Sequence, residues 1–89
     1  MKVIGCREVS GTSKESGRAW SGIKLYYTEP VRSGGAGFTC GSAYFGGPHA
    51  QVIKDAGGED FSGIIGCEVT LIYDRWGKAV GLNIMSTPL

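Results

Sequence analysis

The segment from Ser10 to Tyr27 constrains the fold of this chain more than any other. A polar turn containing Gly17 separates two runs that are rich in β-branched and aromatic residues. In the second run, one set of alternate positions is Trp20, Gly22, Lys24 and Tyr26, and the other is Ser21, Ile23, Leu25 and Tyr27. Successive side chains of a strand point to opposite faces. The pattern therefore predicts a β-hairpin with one core face and one face that interleaves cations with aromatic rings.

Similar patterns predict five strands, over residues 2–9, 18–28, 38–45, 67–73 and 79–85. Residues 49–56 are the only plausible helix, with Pro48 suited to its first position and Gly57 to a left-handed C-cap. This order is that of an OB-fold, a five-stranded Greek-key barrel. We therefore predict an all-β fold with one short helix, in a single OB-like domain over residues 1–89. An SH3-like barrel and a simple β-meander are the alternatives.

Composition agrees with short strands joined by tight turns. The chain has sixteen glycines, about two and a half times the usual frequency. No apolar run approaches the length of a membrane span, and charges at Lys2, Arg7 and Glu8 come too early for a signal peptide. We expect a cytoplasmic protein, in the host cytoplasm if it is viral, with no membrane partner.

Metal binding and catalysis have little support in the sequence. Cys6, Cys40 and Cys67 are widely spaced and His49 is the only histidine, so a four-ligand zinc site would need all four side chains to converge. We expect buried, reduced thiols instead. No phosphate-binding or dinucleotide-binding glycine motif is present. The sequence predicts no enzyme, no metal, no cofactor and no small-molecule substrate.

Charge is distributed unevenly along the chain. The formal net charge is only +1, but residues 1–32 carry six cations against three anions, and residues 33–72 carry one cation against four anions. A basic hairpin beside an acidic middle is compatible with a polarised binding face. It is also compatible with chance in a small domain.

The clustering of rings and cations around two hairpins indicates binding of single-stranded nucleic acid, because cations neutralise phosphates and flat rings accept stacked bases of any identity. Structural alternatives are that Trp20 caps the barrel against the helix and that Tyr26 shields its cross-strand neighbours. Trp76, at a turn tip between charged residues, is harder to explain as core. The candidate binding residues are Lys14, Arg18, Trp20, Lys24, Tyr26, Arg75, Trp76 and Lys78, with Arg7 as a further phosphate contact.

Two segments, residues 10–21 and 68–84, resemble the single-stranded-DNA-binding (helix-destabilising) proteins of filamentous phages. The first follows that family's DNA-binding hairpin, Ser-Gly-x-Ser-basic-x-Gly-basic-Pro-Tyr-Ser, with one inserted residue. Trp20 takes the place of the stacking tyrosine, and Lys14 and Arg18 take the place of the basic residues. The second resembles a later hairpin of the family, with Trp76 in place of phenylalanine. The resemblance covers roughly a third of the chain, and residues 30–63 depart from it.

The resemblance implies an OB-fold homodimer that coats single-stranded DNA without strong sequence preference during phage or mobile-element replication. The choice between DNA and RNA stays open. One alternative is a protein-interaction or assembly module, such as a phage structural or adaptor subunit, which the near-neutral charge and the acidic middle favour. Another is an oligosaccharide-binding barrel, which would use the tryptophans without needing the cations.

Overall fold

The computed structural model describes residues 1–87; the last two positions of the predicted domain, 88 and 89, lie outside the described residues. The described part is mostly β-structure with one short α-helix, which confirms the predicted fold class. The elements are β1 (Lys2–Thr12), β2 (Ala19–Pro30), β3 (Phe38–Gly46), a 3-10 turn (Gly47–His49), α1 (Ala50–Gly57), β4 (Glu68–Tyr73) and β5 (Ala79–Ser86). No helix among residues 1–87 is long and apolar enough to cross a membrane.

The five strands form one antiparallel sheet in the order β3-β2-β1-β4-β5. β1 pairs with β2 along its length, but it pairs with β4 only at its start, where Lys2 lies opposite Glu68. The two edge strands, β3 and β5, also contact each other. The sheet therefore curls toward a partly open barrel, with α1 between β3 and β4 as in an OB-fold.

The core lies on the concave side of this curled sheet. Ile23 and Leu25 of β2 point into it, as the alternation predicts, and Ile53 of α1 closes it from below. The buried hydrophobic residues are Val3, Ile23, Leu25, Phe45, Ile53, Ile64, Cys67, Val69, Leu71 and Ala79. The opposite side of β1, β2 and β3 is left free, and we call it the outer face.

β1 contains a bulge at Ile4. Val3 pairs with Tyr27 and Gly5 pairs with Tyr26, so Ile4 has no partner in β2 and is 50% exposed. A bulge lets two residues of one strand oppose one of its neighbour. Beyond it, even-numbered residues of β1 face the core side.

Two details differ from the sequence predictions. Gly57 is the last residue of α1 and the left-handed C-cap is Gly58, with a φ of 81°. Gly57 is needed for close packing instead, because a Cβ there would lie 3.0 Å from Cγ2 of Ile64. Cys67 is buried as expected, but Cys40 is exposed, since it lies on the outer face of β3.

Candidate nucleic-acid interface

The outer face brings together the cations and rings of three strands. Strand pairing arranges its residues in cross-strand rows: Gly11–Trp20, Val9–Gly22–Gly46, Arg7–Lys24–Tyr44, Gly5–Tyr26–Ser42 and Lys2–Thr28–Cys40. These rows contain three cations, three aromatic rings and one thiol. The rows hold no carboxylate within β1, β2 and β3, and Glu68 of β4 lies opposite Lys2 at the edge of this face. Such a surface attracts polyanions and offers them apolar platforms.

Trp20 and Tyr44 form an aromatic pair on the outer face. Their ring centroids are 6.0 Å apart and their planes meet at 88°, an edge-to-face arrangement. The Tyr44 hydroxyl donates a hydrogen bond of 3.2 Å to the Ser21 carbonyl. Trp20 is 45% exposed and Tyr44 is 42% exposed. Trp20 therefore does not cap the barrel against the helix, and that alternative reading is wrong.

Glycines form the floor under these two rings. A Cβ at Gly11 would lie 2.6 Å from Cζ2 of Trp20. Gly22 and Gly46 pair directly, and a Cβ at either would come within 2.7 Å of a Tyr44 ring carbon. A side chain at Gly11 or Gly46 would displace a ring, and one at Gly22 would also meet the Phe45 carbonyl oxygen at 2.5 Å. The rings of Trp20 and Tyr44 therefore pack directly on the backbone of the sheet, and the rest of their surface faces solvent.

Tyr26 is surrounded by cations. The Lys24 ammonium lies 5.9 Å, and the Arg7 guanidinium 6.0 Å, from the centroid of its ring. Both distances fall at the limit of cation–π attraction. The Tyr26 ring thus lies near two cations on the face that carries the Trp20–Tyr44 pair. These contacts go beyond a simple shielding of cross-strand neighbours.

The β1–β2 turn carries the next two cations. The Ser13 amide donates to the Arg18 carbonyl at 2.9 Å, and the Gly17 amide donates to the Ser13 carbonyl at 2.8 Å. Gly17, in the predicted turn, has a positive φ of 70°. Lys14 and Arg18 are both exposed on this turn, beside the strand that bears Trp20.

The β4–β5 turn is fixed by one carboxylate. Oδ1 of Asp74 accepts hydrogen bonds of 2.9 Å from the backbone amides of both Trp76 and Lys78. Gly77 has a positive φ of 81°, a conformation that glycine adopts without strain. Trp76 at the tip is 71% exposed, and the Arg75 guanidinium lies 4.4 Å from its ring centroid. The prediction that Trp76 is not a core residue is confirmed.

A cleft of about 640 Å³ separates the end of β3 from the β4–β5 turn. Tyr44 and His49 line one wall, and Tyr73, Trp76 and Lys78 line the other. Tyr73 shares the parity of the buried Val69 and Leu71, yet it is 49% exposed, because it lies at the end of β4 where the cleft opens. Its alternation with Val69 and Leu71 alone would predict a core-facing side chain, and its exposure shows that this prediction is wrong.

The candidate residues thus fall into two groups that meet at Tyr44. The platform consists of the outer face with the β1–β2 turn, and it holds Lys14, Arg18, Trp20, Lys24, Tyr26 and Arg7. The cleft group holds Trp76 and Lys78, which line the cleft, and Arg75, which stacks on Trp76 outside the cleft lining. In an OB-fold, the strand 2–3 face and these two turns form the ligand-binding side.

Sequence reasoning missed Tyr44, which joins the two groups. Its position in the alternating β3 run was visible, but its place beside Trp20 depends on the pairing of Gly22 with Gly46. Glycine opposite glycine, with an aromatic two residues from one of them, is the signal that could have found it. Among residues 1–87, no group of three or more potential metal ligands is present.

Carboxylates lie away from the platform strands' outer face. Glu8 points to the α1 side, where its carboxylate is 3.5 Å from the Lys54 ammonium. Glu68 lies 3.3 Å from the N-terminal ammonium of Met1. Glu15 is exposed in the β1–β2 turn, between Lys14 and Arg18, so the separation of charge holds for the strand rows of the platform and not for its turn.

Comparison of the chain with protein-family models, with curated proteins and with solved structures gave no match. The resemblance to the filamentous-phage proteins accordingly stays a prediction from the two hairpin segments.

Proposed function

We propose that this protein binds single-stranded DNA without strong sequence preference, by stacking bases on exposed rings and pairing phosphates with the surrounding cations. The observation that carries the proposal is the outer face, where Trp20 and Tyr44 sit on a glycine floor beside Lys24 and Arg7, with no carboxylate among its described strand residues. Coverage of exposed strands is stoichiometric, so the proposal involves no cofactor and no turnover.

Stacking and charge contribute differently to this binding. A stacked base contributes roughly 1–3 kcal/mol and tolerates any base identity. For a single strand, each neutralised phosphate adds about 0.7 to the magnitude of the negative slope of log K against log salt concentration. Six cations surround the rings, namely Arg7, Lys14, Arg18, Lys24, Arg75 and Lys78. If each pairs with one phosphate, log K falls with log salt at a slope of roughly −4.

The test is a titration of intrinsic tryptophan fluorescence with poly(dT), repeated at increasing salt. We expect strong quenching at low salt, and reversal as salt displaces the phosphates. Poly(rU) in parallel decides between DNA and RNA. The absence of quenching at every salt concentration would refute the proposal.

Thiol labelling locates the bound strand independently. Cys40 is exposed beside Tyr26 on the outer face, whereas Cys6 points toward the core side and is only partly exposed. Burial raises the pKa of the Cys6 thiol, so less thiolate is present and alkylation is slower. We expect poly(dT) to protect Cys40 and to leave the slow labelling of Cys6 unchanged. Equal labelling of Cys40 with and without DNA would exclude the outer face.

A protein-interaction module is the second candidate, and exposed apolar side chains on β4 and β5 favour it. Ile72, Ile84 and Met85 are exposed by 43%, 41% and 67%. An apolar protein interface is nearly insensitive to salt, unlike a phosphate complex. The homodimer implied by the resemblance stays a proposal as well, and sedimentation of the free protein tests it.

A further inference from the structure

The cleft between β3 and the β4–β5 turn has a shape that the platform lacks. Trp20 and Tyr44 are seated on the sheet, so each offers a base only the surface turned to solvent. The cleft has aromatic side chains on two walls, with Tyr44 on one and Tyr73 and Trp76 on the other. Its volume of about 640 Å³ is in the range of pockets that enclose small organic ligands. A flat group in this cleft therefore has aromatic residues among its neighbours on both walls.

The cleft is continuous with the platform because Tyr44 belongs to both. The ring of Tyr44 packs edge-to-face with Trp20, and Tyr44 is also one of the residues that line the cleft. Its hydroxyl is held by the Ser21 carbonyl at 3.2 Å. A nucleic-acid strand that stacks on Trp20 is therefore separated from the mouth of the cleft only by Tyr44.

The far wall is preorganised. Asp74 fixes the turn through two side-chain hydrogen bonds of 2.9 Å, and its own amide donates to the Lys78 carbonyl at 2.9 Å. Arg75 stacks on Trp76 at 4.4 Å without itself lining the cleft. The Arg75 guanidinium thus covers part of the Trp76 ring and leaves exposed the part that lines the cleft. A rigid wall reduces the entropy lost on binding.

We propose that this cleft holds one nucleobase turned out of the strand that lies on the platform. The inference rests on the proposed function and deepens it by dividing the site into a stacking platform and a position within the cleft. Turning a base out of a single strand costs less than from a duplex, because no pairing is lost. Lys78 at the cleft wall supplies a cation for the phosphate of the same nucleotide.

Single-tryptophan variants separate the two positions. Trp20→Phe leaves Trp76 as the only tryptophan, and Trp76→Phe leaves Trp20. We expect oligothymidine of about 16 nucleotides, the upper end of OB-fold site sizes, to quench both. An abasic oligodeoxyribose phosphate of the same length should quench neither. Quenching of Trp76 by the abasic strand would show backbone in the cleft and would overturn the proposal.

Tyr73 and Ile72 provide a matched pair of substitutions. They are neighbours of similar exposure, 49% and 43%, but only Tyr73 lines the cleft. We expect Tyr73→Ala to weaken oligothymidine binding by about tenfold, the loss of a base–ring contact, and Ile72→Ala to leave it unchanged. Thermal melts of both verify folding, and Tyr73→Phe should restore binding.

The outcomes distinguish this inference from the proposed function. If only Trp20 is quenched, and if Tyr73→Ala binds oligothymidine as tightly as Ile72→Ala does, the proposal of a base in the cleft is overturned. Binding on the platform is then retained. If neither tryptophan responds and labelled oligothymidine does not bind the wild-type protein, the proposed function fails together with the cleft.

Discussion

Trp20 and Trp76 both stand beside a hairpin turn, but the chain holds the two rings by different means. Trp20 belongs to β2 and rests on Gly11 of the paired strand, so the sheet backbone fixes its position. Trp76 belongs to the β4–β5 turn, where Asp74 shapes the backbone and Arg75 covers the ring. The position of the ring on the sheet therefore depends on glycines, which have no side chain. The position of the ring on the turn depends instead on neighbouring polar side chains.

The largest effect is expected from breaking the glycine floor. A Cβ at Gly22 would lie 2.5 Å from the Phe45 carbonyl oxygen and 2.7 Å from the Tyr44 ring. Since the carbonyl belongs to the backbone and cannot turn aside, we expect Gly22→Ala to lower the free energy of unfolding by about 3 kcal/mol. Urea denaturation measures it.

Gly81→Ala is the matched control for this substitution. Gly81 is also a strand glycine, but a Cβ there would meet nothing closer than Cδ1 of Ile72, at 3.6 Å. We expect no loss of stability, and a gain of up to about 1 kcal/mol from the restricted unfolded chain. Equal free energies of unfolding for Gly22→Ala and Gly81→Ala would mean that the platform tolerates a side chain beneath its aromatic rings.

The next effect tests the seated ring directly. Trp20 is 45% exposed and belongs to none of the buried core positions, so Trp20→Ala should leave the fold intact. We expect it to weaken binding of single-stranded DNA by about 2 kcal/mol, the contribution of a stacked base. Anisotropy of a labelled oligothymidine measures the affinity, with circular dichroism as the check on folding. Unfolding of the variant, with normal binding by the folded remainder, would make Trp20 a structural residue.

A smaller effect is expected from the turn. Asp74→Ala removes the acceptor for the Trp76 and Lys78 amides, and we expect a loss of about 1 kcal/mol in the free energy of unfolding. The emission of Trp76 should shift in the Trp20→Phe background, whereas that of Trp20 should not shift in the Trp76→Phe background. A shift of both would show that the two turns are coupled.

Asp60 provides the control carboxylate. It accepts hydrogen bonds from the amide and the hydroxyl of Ser62, far along the chain from both tryptophans. These bonds lower the pKa of Asp60 from its ordinary value of 3.8. Its stabilising contribution is therefore present above pH 3.8 and is lost as the pH falls below that value. Asp60→Ala should leave the emission of Trp76 unchanged.

The smallest effect concerns the cation behind Trp76. An exposed cation–π contact contributes about 0.5 kcal/mol, so Arg75→Ala should scarcely change stability. Arg75→Lys keeps the charge but loses the planar group that stacks on the ring. In the Trp20→Phe background we expect both variants to shift the emission of Trp76, and only Arg75→Ala to reduce the salt dependence of DNA binding. Identical salt slopes would remove Arg75 from the phosphate contacts.

The fold was largely predictable because local patterns carry it. The alternation of β2 predicts which face Ile23 and Leu25 bury, and the polar turn containing Gly17 does separate β1 from β2. Those features depend on neighbours in the sequence. They do not require knowledge of which strands pair.

The candidate site was less predictable because it depends on pairing between distant strands. Tyr44 reaches Trp20 only through the register that sets Gly22 opposite Gly46. Tyr73 follows the buried parity of β4 but lies beyond the end of the core. Gly57 had the right position for a helix cap, yet close packing against Ile64 gives it another role. Period-two reasoning identifies faces, but it does not tell where along a strand the core stops.

The bulge at Ile4 has a consequence for how the length of this chain could change during evolution. Val3 faces the core and Arg7 faces outward only because one residue between them is left out of the pairing. Deleting Ile4 would straighten β1 and leave both faces as they are. Deleting any single residue between Arg7 and Thr12 would instead reverse the faces of everything on one side of the gap. Single-residue deletions in relatives of this protein should therefore collect at position 4 and be rare in the rest of the strand.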